Sequence, residues 1–147
     1  MLVAVGKIGR GAEAELFARY CERLRPPIRA IEIADARGTP GEKKKREAAA
    51  LLAALPVSAF VVALDAAGTM HDSAAFSRLL TRWIEAGRSV AFVIGGADGL
   101  DVRVTDRADH VLSLGRMTWP HLLVRVLLAE QLYRARAIAA GHPYHRC

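Results

Sequence analysis

Val57–Leu64 reads VSAFVVAL, a run that is apolar or β-branched almost throughout. A strand with one wet face alternates apolar and polar residues, whereas a continuous apolar run fits a strand covered on both faces, as in a parallel sheet. The run ends at Asp65, and a loop is expected over 66–72. Val90–Ile94 is a second strand of the same kind. Between them, Ser73–Ala86 carries Phe76, Leu80, Trp83 and Ile84 at helical spacing, and Gly87 supplies the stop. Two buried strands joined through one helix make a parallel βαβ unit.

Outward toward the N-terminus, Thr39-Pro40-Gly41-Glu42 has the spacing of a capping box with Pro at the first helical position, opening a helix to Leu55. Ile28–Ala34 alternates as a strand. Gly11–Leu24 keeps Ala14, Phe17, Cys21 and Leu24 at helical spacing until Pro26-Pro27, and Leu2–Val5 is a short buried strand. Toward the C-terminus, Asp101–Ala108 reads as a short helix and His110–Leu114 as the last strand. A long helix begins at Pro120, placed in its first turn, and stops at Gly141 and Pro143. Strands alternating with helices predict one α/β domain over residues 1–147, with a mostly parallel sheet and helices on both faces.

The long helix is apolar on one face at Val124, Leu128, Leu132 and Ala135, and again at Leu123, Val126 and Leu127. Such breadth needs cover on most sides, so a second copy of the chain is expected beside the sheet.

At 147 residues the chain can bury a core without staples. Its 52% hydrophobic and 24% charged content excludes disorder, and the net charge of +6 points to an anionic partner. The run Lys43-Lys44-Lys45-Arg46 reads as a solvated helix face. Cys21 and Cys147 offer neither metal spacing nor a disulfide framework. With no apolar run near the roughly 18 residues of a spanning helix and no cleavable leader, a cytoplasmic protein without metal or membrane is expected.

Ligands in such sheets sit beyond the carboxyl ends of the strands. Three loops stand there: after Leu64, after Ile94 and after Leu114. Gly95-Gly96-Ala97-Asp98-Gly99 lets backbone approach a ligand but matches neither the dinucleotide fingerprint nor a P-loop. Leu114-Gly115-Arg116-Met117-Thr118-Trp119 is apolar where a loop should be polar, so it needs a cover, either a ligand with an apolar part or a neighbouring subunit. Asp65 and Asp72 read as turn or cap residues, and His121 as structural. The tail, His142-Pro143-Tyr144-His145-Arg146, offers stacking, bidentate phosphate contact and proton exchange near neutrality.

Several stretches together resemble one family: Leu2–Lys7, Ala63-Leu64-Asp65 with Gly68, Phe92–Gly96 with Gly99-Leu100, Leu112-Ser113 through Met117-Thr118 to Pro120-His121, Arg125-Val126, Ala129–Ala135, and the closing Tyr144-His145-Arg146. Over essentially its whole length the chain resembles the RlmH family of SPOUT-class methyltransferases, which modify N3 of a pseudouridine in bacterial large-subunit ribosomal RNA. The segment between Asp35 and Leu55 is shorter than the family's usual one, and GADG stands where Pro, Ser or Glu is common.

The resemblance implies a SPOUT fold with a C-terminal deep trefoil knot, S-adenosylmethionine as donor, a homodimer and rRNA within the assembled ribosome as substrate. By position it implies cofactor contacts from Leu64, Gly95, Leu114, Gly115, Arg116, Met117, Thr118 and Trp119. Arg134, His142, Tyr144 and Arg146 would hold the substrate, with Tyr144, His145 and Arg146 at the reacting nucleotide and His145 as proton acceptor. In a dimer, the tail and Arg134 of one subunit would complete the site of the other. Two further readings compete: a non-enzymatic RNA-binding protein, and a flavodoxin-like nucleotide or flavin binder.

Overall fold

In the computed structural model, which describes residues 1–142 and Tyr144, ten elements alternate. In order they are β1 (Leu2–Val5), α1 (Ala12–Arg23), β2 (Ala30–Ile33), α2 (Pro40–Ala54), β3 (Phe60–Met70), α3 (Ser73–Glu85), β4 (Val90–Ile94), α4 (Val102–Arg107), β5 (His110–Ser113) and α5 (His121–Ala139). The five strands pair in parallel, in the order β2-β1-β4-β3-β5.

Strand periodicity divides the core. Leu2, Ala4, Val62, Leu64, Phe92, Ile94 and Leu112 face α1, α3 and α5, through residues such as Leu24, Phe76, Leu80, Leu128 and Leu132. Their neighbours Val3, Val5, Val61, Ala63, Ala91 and Val93 face α2 and α4, through Ala48, Leu51 and Val104. β1, β4 and the first half of β3 are thus dry on both sides, which explains the continuous apolar runs, whereas the edge strand β2 alternates exposed and half-buried residues. The step along the sheet and the covering face change together, as a single hand for every crossover requires.

The predicted caps form. Thr39 Oγ1 accepts from the Glu42 N–H while the Glu42 carboxylate accepts from the Thr39 N–H, and Asp72 caps α3 by accepting from Ala75 N–H at 2.6 Å. At the other end of the chain, Gly141 (φ +67) closes α5: the His142 N–H reaches Ala137 O and the Gly141 N–H reaches Ile138 O. This is the Schellman pattern expected of a Gly stop.

Three features depart from expectation. Residues 66–70, predicted as loop, belong to β3: Leu64 and Thr69 both pair with Leu112, so 65–68 loop out of the ladder. Gly68 permits this by lying against β5, where an added Cβ would stand 2.7 Å from Val111 O. Pro120 is extended (ψ 133) and precedes the helix instead of starting it. Finally, α5 is covered largely within its own chain, flanked by α1 and α3, with Val126, Leu128, Ala129, Leu132 and Ala135 buried. Its apolar surplus gathers at the first turn and the preceding loop, where Leu123, Met117 and Trp119 are 36%, 73% and 41% exposed.

Candidate active site

Three loops meet beyond the ends of β3, β4 and β5, and backbone requirements shape each. Gly95 is buried, and a Cβ there would stand 2.8 Å from the Gly99 carbonyl carbon. The turn closes with the Gly99 N–H on Gly96 O at 3.0 Å, and Gly99 has φ +79. After β5, the chain turns at Gly115 (φ +128), whose N–H donates to Ser113 Oγ at 3.1 Å. Ser113 is buried and lies 3.2 Å from Ala66 O, which ties the β5 loop to the excursion in β3. Asp65 closes that excursion by accepting from the Ala67 N–H at 2.8 Å, the turn role expected of it.

Together these loops enclose a cavity of about 220 Å³. Of the predicted cofactor residues, Leu64, Gly95, Leu114, Gly115, Met117, Thr118 and Trp119 line it. Arg116 does not; its position lines a separate cleft with Ala66, Ala67, Gly68 and Met70. A second cavity of about 490 Å³ shares Leu112, Leu114, Gly115 and Trp119 with the first and reaches Met70, His71, Ser73 and Gln131.

Apart from Asp65, Thr118 and His121, the first cavity offers apolar side chains and glycine-rich backbone. Such a lining binds and orients a flat, partly apolar molecule through backbone N–H and C=O groups. Among the described residues its lining includes no Lys or Arg.

His121 was read as structural, yet it lines the cavity. A Cβ on Gly6 (φ +85) would stand 3.1 Å from His121 Nε2 and 3.4 Å from Asp35 Oδ1, so the missing side chain lets imidazole and carboxylate converge at the mouth. Beneath them Arg125 is buried in α5 and donates to Val5 O at 2.6 Å, to Gly6 O and to Glu32 Oε1 at 2.9 Å. Glu32 also accepts from the Ile8 N–H at 2.8 Å, so one arginine fixes the start of α5 to the β1–α1 loop. Neither contact could be read locally, because Arg125 and Glu32 are 93 residues apart.

Of the predicted substrate residues, Arg134 and Tyr144 belong to a second cluster. The Tyr144 hydroxyl donates to Glu130 Oε1 at 3.3 Å, its ring packs edge-on against Tyr133 at 4.7 Å, and the Arg134 guanidinium lies 5.0 Å from its centroid. Arg134 pairs with Glu130 at 2.6 Å. A hydrogen bond with Tyr20, then burial, pushes the Tyr144 phenol up to about 12, so it stays protonated at neutrality. Glu130 stands nine residues along α5 from His121, about 14 Å at 1.5 Å per residue. Within one chain, then, Arg134 and Tyr144 are not brought to the cavity. His142 ends the α5 stop, while His145 and Arg146 lie outside the described residues.

Among the described residues there is no group of three candidate metal ligands, and no helix is long and apolar enough to cross a membrane.

A family model described as a predicted SPOUT methyltransferase matches residues 1–145. The chain is 60% identical to the ribosomal RNA large subunit methyltransferase H of Gluconacetobacter diazotrophicus, over 99% of this chain and 95% of that protein. It is 53% identical to the proteins of the same name from Acidiphilium cryptum and Paramagnetospirillum magneticum, over 99% of this chain in both and 92% and 97% of theirs.

Proposed function

Because this chain belongs to the SPOUT methyltransferase family, we propose that it methylates large-subunit ribosomal RNA, the substrate class its relatives are named for. The finer reading is that S-adenosylmethionine is the donor, N3 of a pseudouridine the acceptor, and the assembled cytoplasmic ribosome the substrate. We read the working unit as a homodimer, with the C-terminal segment in the family's trefoil knot. The non-enzymatic and flavodoxin-like readings give way to the family match.

The observation that carries this proposal is the glycine-shaped cavity at the ends of β3, β4 and β5. Its chemistry suits the donor: apolar walls for an adenosyl group, close backbone at Gly95 and Gly115, and no Lys or Arg in the wall among the described residues. When bound, the donor supplies an already electrophilic methyl carbon. The protein's residues then have two tasks, holding that carbon in line with the base and giving the N3 proton somewhere to go. Leu64, Gly95, Leu114, Gly115 and Thr118 would serve the first, with Trp119 and Met117 as cover, while Arg116 stands outside the cavity lining.

Arg134, His142, Tyr144 and Arg146 would hold the nucleotide, Tyr144 by stacking and Arg146 by pairing a phosphate or a developing anion. His145 would accept the proton. Since Glu130 and His121 are about 14 Å apart along one helix, these residues would serve the partner's cavity in the dimer. The exposed Leu123, Met117 and Trp119 would give that contact its apolar centre.

The test is transfer of a labelled methyl group from S-adenosylmethionine to ribosomes lacking the modification, with free rRNA and isolated subunits in parallel. Label mapped by mass spectrometry to a pseudouridine on large-subunit RNA is the expected result. Cofactor binding without label on any substrate would discard the target.

A further inference from the structure

Most cations near the amino ends of the strands are engaged, Arg29 before β2 being exposed without a side-chain partner among the described residues. Arg88 donates to Ser58 O and Ala59 O and pairs with Asp109 at 3.1 Å. Arg107 pairs with the same carboxylate at 3.6 Å, and Arg25 and Arg136 bind backbone carbonyls. At the carboxyl ends, Lys7, Arg37 and Arg116 are exposed, and none of their side chains has a hydrogen-bond or ion-pair partner among the described residues, the Arg37 carbonyl accepting from Arg46.

The acids of that edge are spoken for. Asp98 pairs with Lys43, Asp101 with Arg103, Glu32 with Arg125, and Asp65 holds its own turn. Asp35 is the exception among the described residues of these loops. Arg10 is left out of the set because Glu13 and Glu15 stand in the first turn of α1 beside it.

Arg116 is flanked by residues of the cavity wall, and Lys7 and Arg37 connect to that wall through short chains of contacts. Lys7 follows Gly6, which packs on His121. Arg37 follows Ala36, whose N–H donates to Glu47 Oε1 at 3.1 Å; Glu47 Oε2 in turn lies 3.1 Å from where a Gly96 Cβ would be. Arg116 sits between Gly115 and Met117, both in the lining. The cations therefore stand on three different loops at the carboxyl edge of the sheet, which also carries the cavity.

We infer that Lys7, Arg37 and Arg116 form a phosphate-gripping rim that docks the ribosomal RNA backbone over the cavity, an inference that rests on the rRNA reading above. An exposed cation without an internal partner loses nothing by meeting a phosphate, and counterion release favours the contact. The rim positions the RNA and reads no base. Lys7, Arg37 and Arg116 are positioning residues.

The test reverses the charges singly and together, Lys7→Glu, Arg37→Glu and Arg116→Glu. A double reversal at the exposed, unpartnered Arg78 and Arg82 of α3 serves as control. Ribosome binding, KM and kcat for methyl transfer are measured across a salt series, with cofactor affinity and melting temperature alongside. Each single reversal should raise the ribosome Kd and KM by about 5- to 10-fold with kcat little changed, and lower the salt slope by about one. The triple variant should lose about three units of slope, while Lys7→Arg and Arg37→Lys keep most of the affinity. An unchanged salt slope in a folded triple variant overturns the rim. So does an equal loss in the α3 control, which would make the effect one of net charge. A wild-type protein that binds cofactor but neither binds nor methylates ribosomes overturns the rRNA reading first, and the rim with it.

Discussion

The cavity at the strand ends and the tyrosine cluster on α5 are made of different material. Backbone shapes the cavity: Gly95 against Gly99, Gly115 turning at φ +128, and apolar walls. Side chains make the cluster, with Tyr144 held by Glu130, Tyr133 and Arg134. A backbone cradle has one shape and tolerates no added atoms, whereas a cation–π and hydrogen-bonded cluster can exchange one partner for another. The difference suits two tasks, a fixed grip on a small donor and an adaptable grip on a large substrate, and it makes those tasks separable by mutation.

The largest effect should come from filling the cradle. Gly95→Val places a Cβ 2.8 Å from the Gly99 carbonyl carbon, so the loop must shift. Cofactor affinity measured by calorimetry should fall by about 100-fold or more, the scale of about 3 kcal/mol, in a protein that still folds by circular dichroism. Retained binding would break the assignment of the cavity. Next in size, Arg134→Ala or Arg146→Ala should lower methyl transfer by about 100-fold, as for one lost transition-state contact, with cofactor affinity nearly unchanged. Equal loss of both would merge the two regions. Mixing Gly95→Val with Arg146→Ala subunits should restore part of the activity if each site draws on both chains, and no rescue would count against the composite site.

A smaller effect is expected at Arg125, which supports the cavity mouth from below. Arg125→Met keeps the apolar bulk but leaves Val5 O, Gly6 O and Glu32 without their donor. Because Glu32 is 34% exposed, the loss in a urea titration should be about 2–4 kcal/mol, at or below the range for a broken buried pair. The smallest effect concerns pH. Burial, and then the neighbouring His71, hold His110 below its ordinary 6.5. The unfolded chain therefore binds the extra proton first, so stability is full above pH 6.5 and declines as pH falls below it. His110→Phe should flatten that decline in melting temperature, and an identical pH profile would show that His110 does not carry it.

Much of this was written locally. The dry strands are continuous apolar runs, the α2 cap is a four-residue pattern, and the loops that meet at the cavity are those expected from the strand ends. What escaped depends on partners far along the chain. Ala66-Ala67-Gly68 has no strand pattern, and its place in β3 follows from close approach to Val111. Within the chain, α1 and α3 flank α5 and cover part of its apolar breadth, which its own spacing does not reveal. Arg125 reads as a surface charge until Val5 and Glu32 are seen beside it. His121 gains its place at the mouth from Gly6, more than a hundred residues earlier.

The bond from Arg125 to Val5 O spans 120 residues, and it sets an order of events during synthesis. A nascent chain that has reached Ser113 has made all five strands, yet Leu2, Ala4, Phe92 and Ile94 still lack Leu128 and Leu132 over them. Until α5 leaves the exit tunnel, the face it covers is open and the mouth of the cavity has no floor. Contacts of such high sequence separation are slow to form and leave apolar surface exposed meanwhile. The cavity thus acquires its floor only after α5 has emerged.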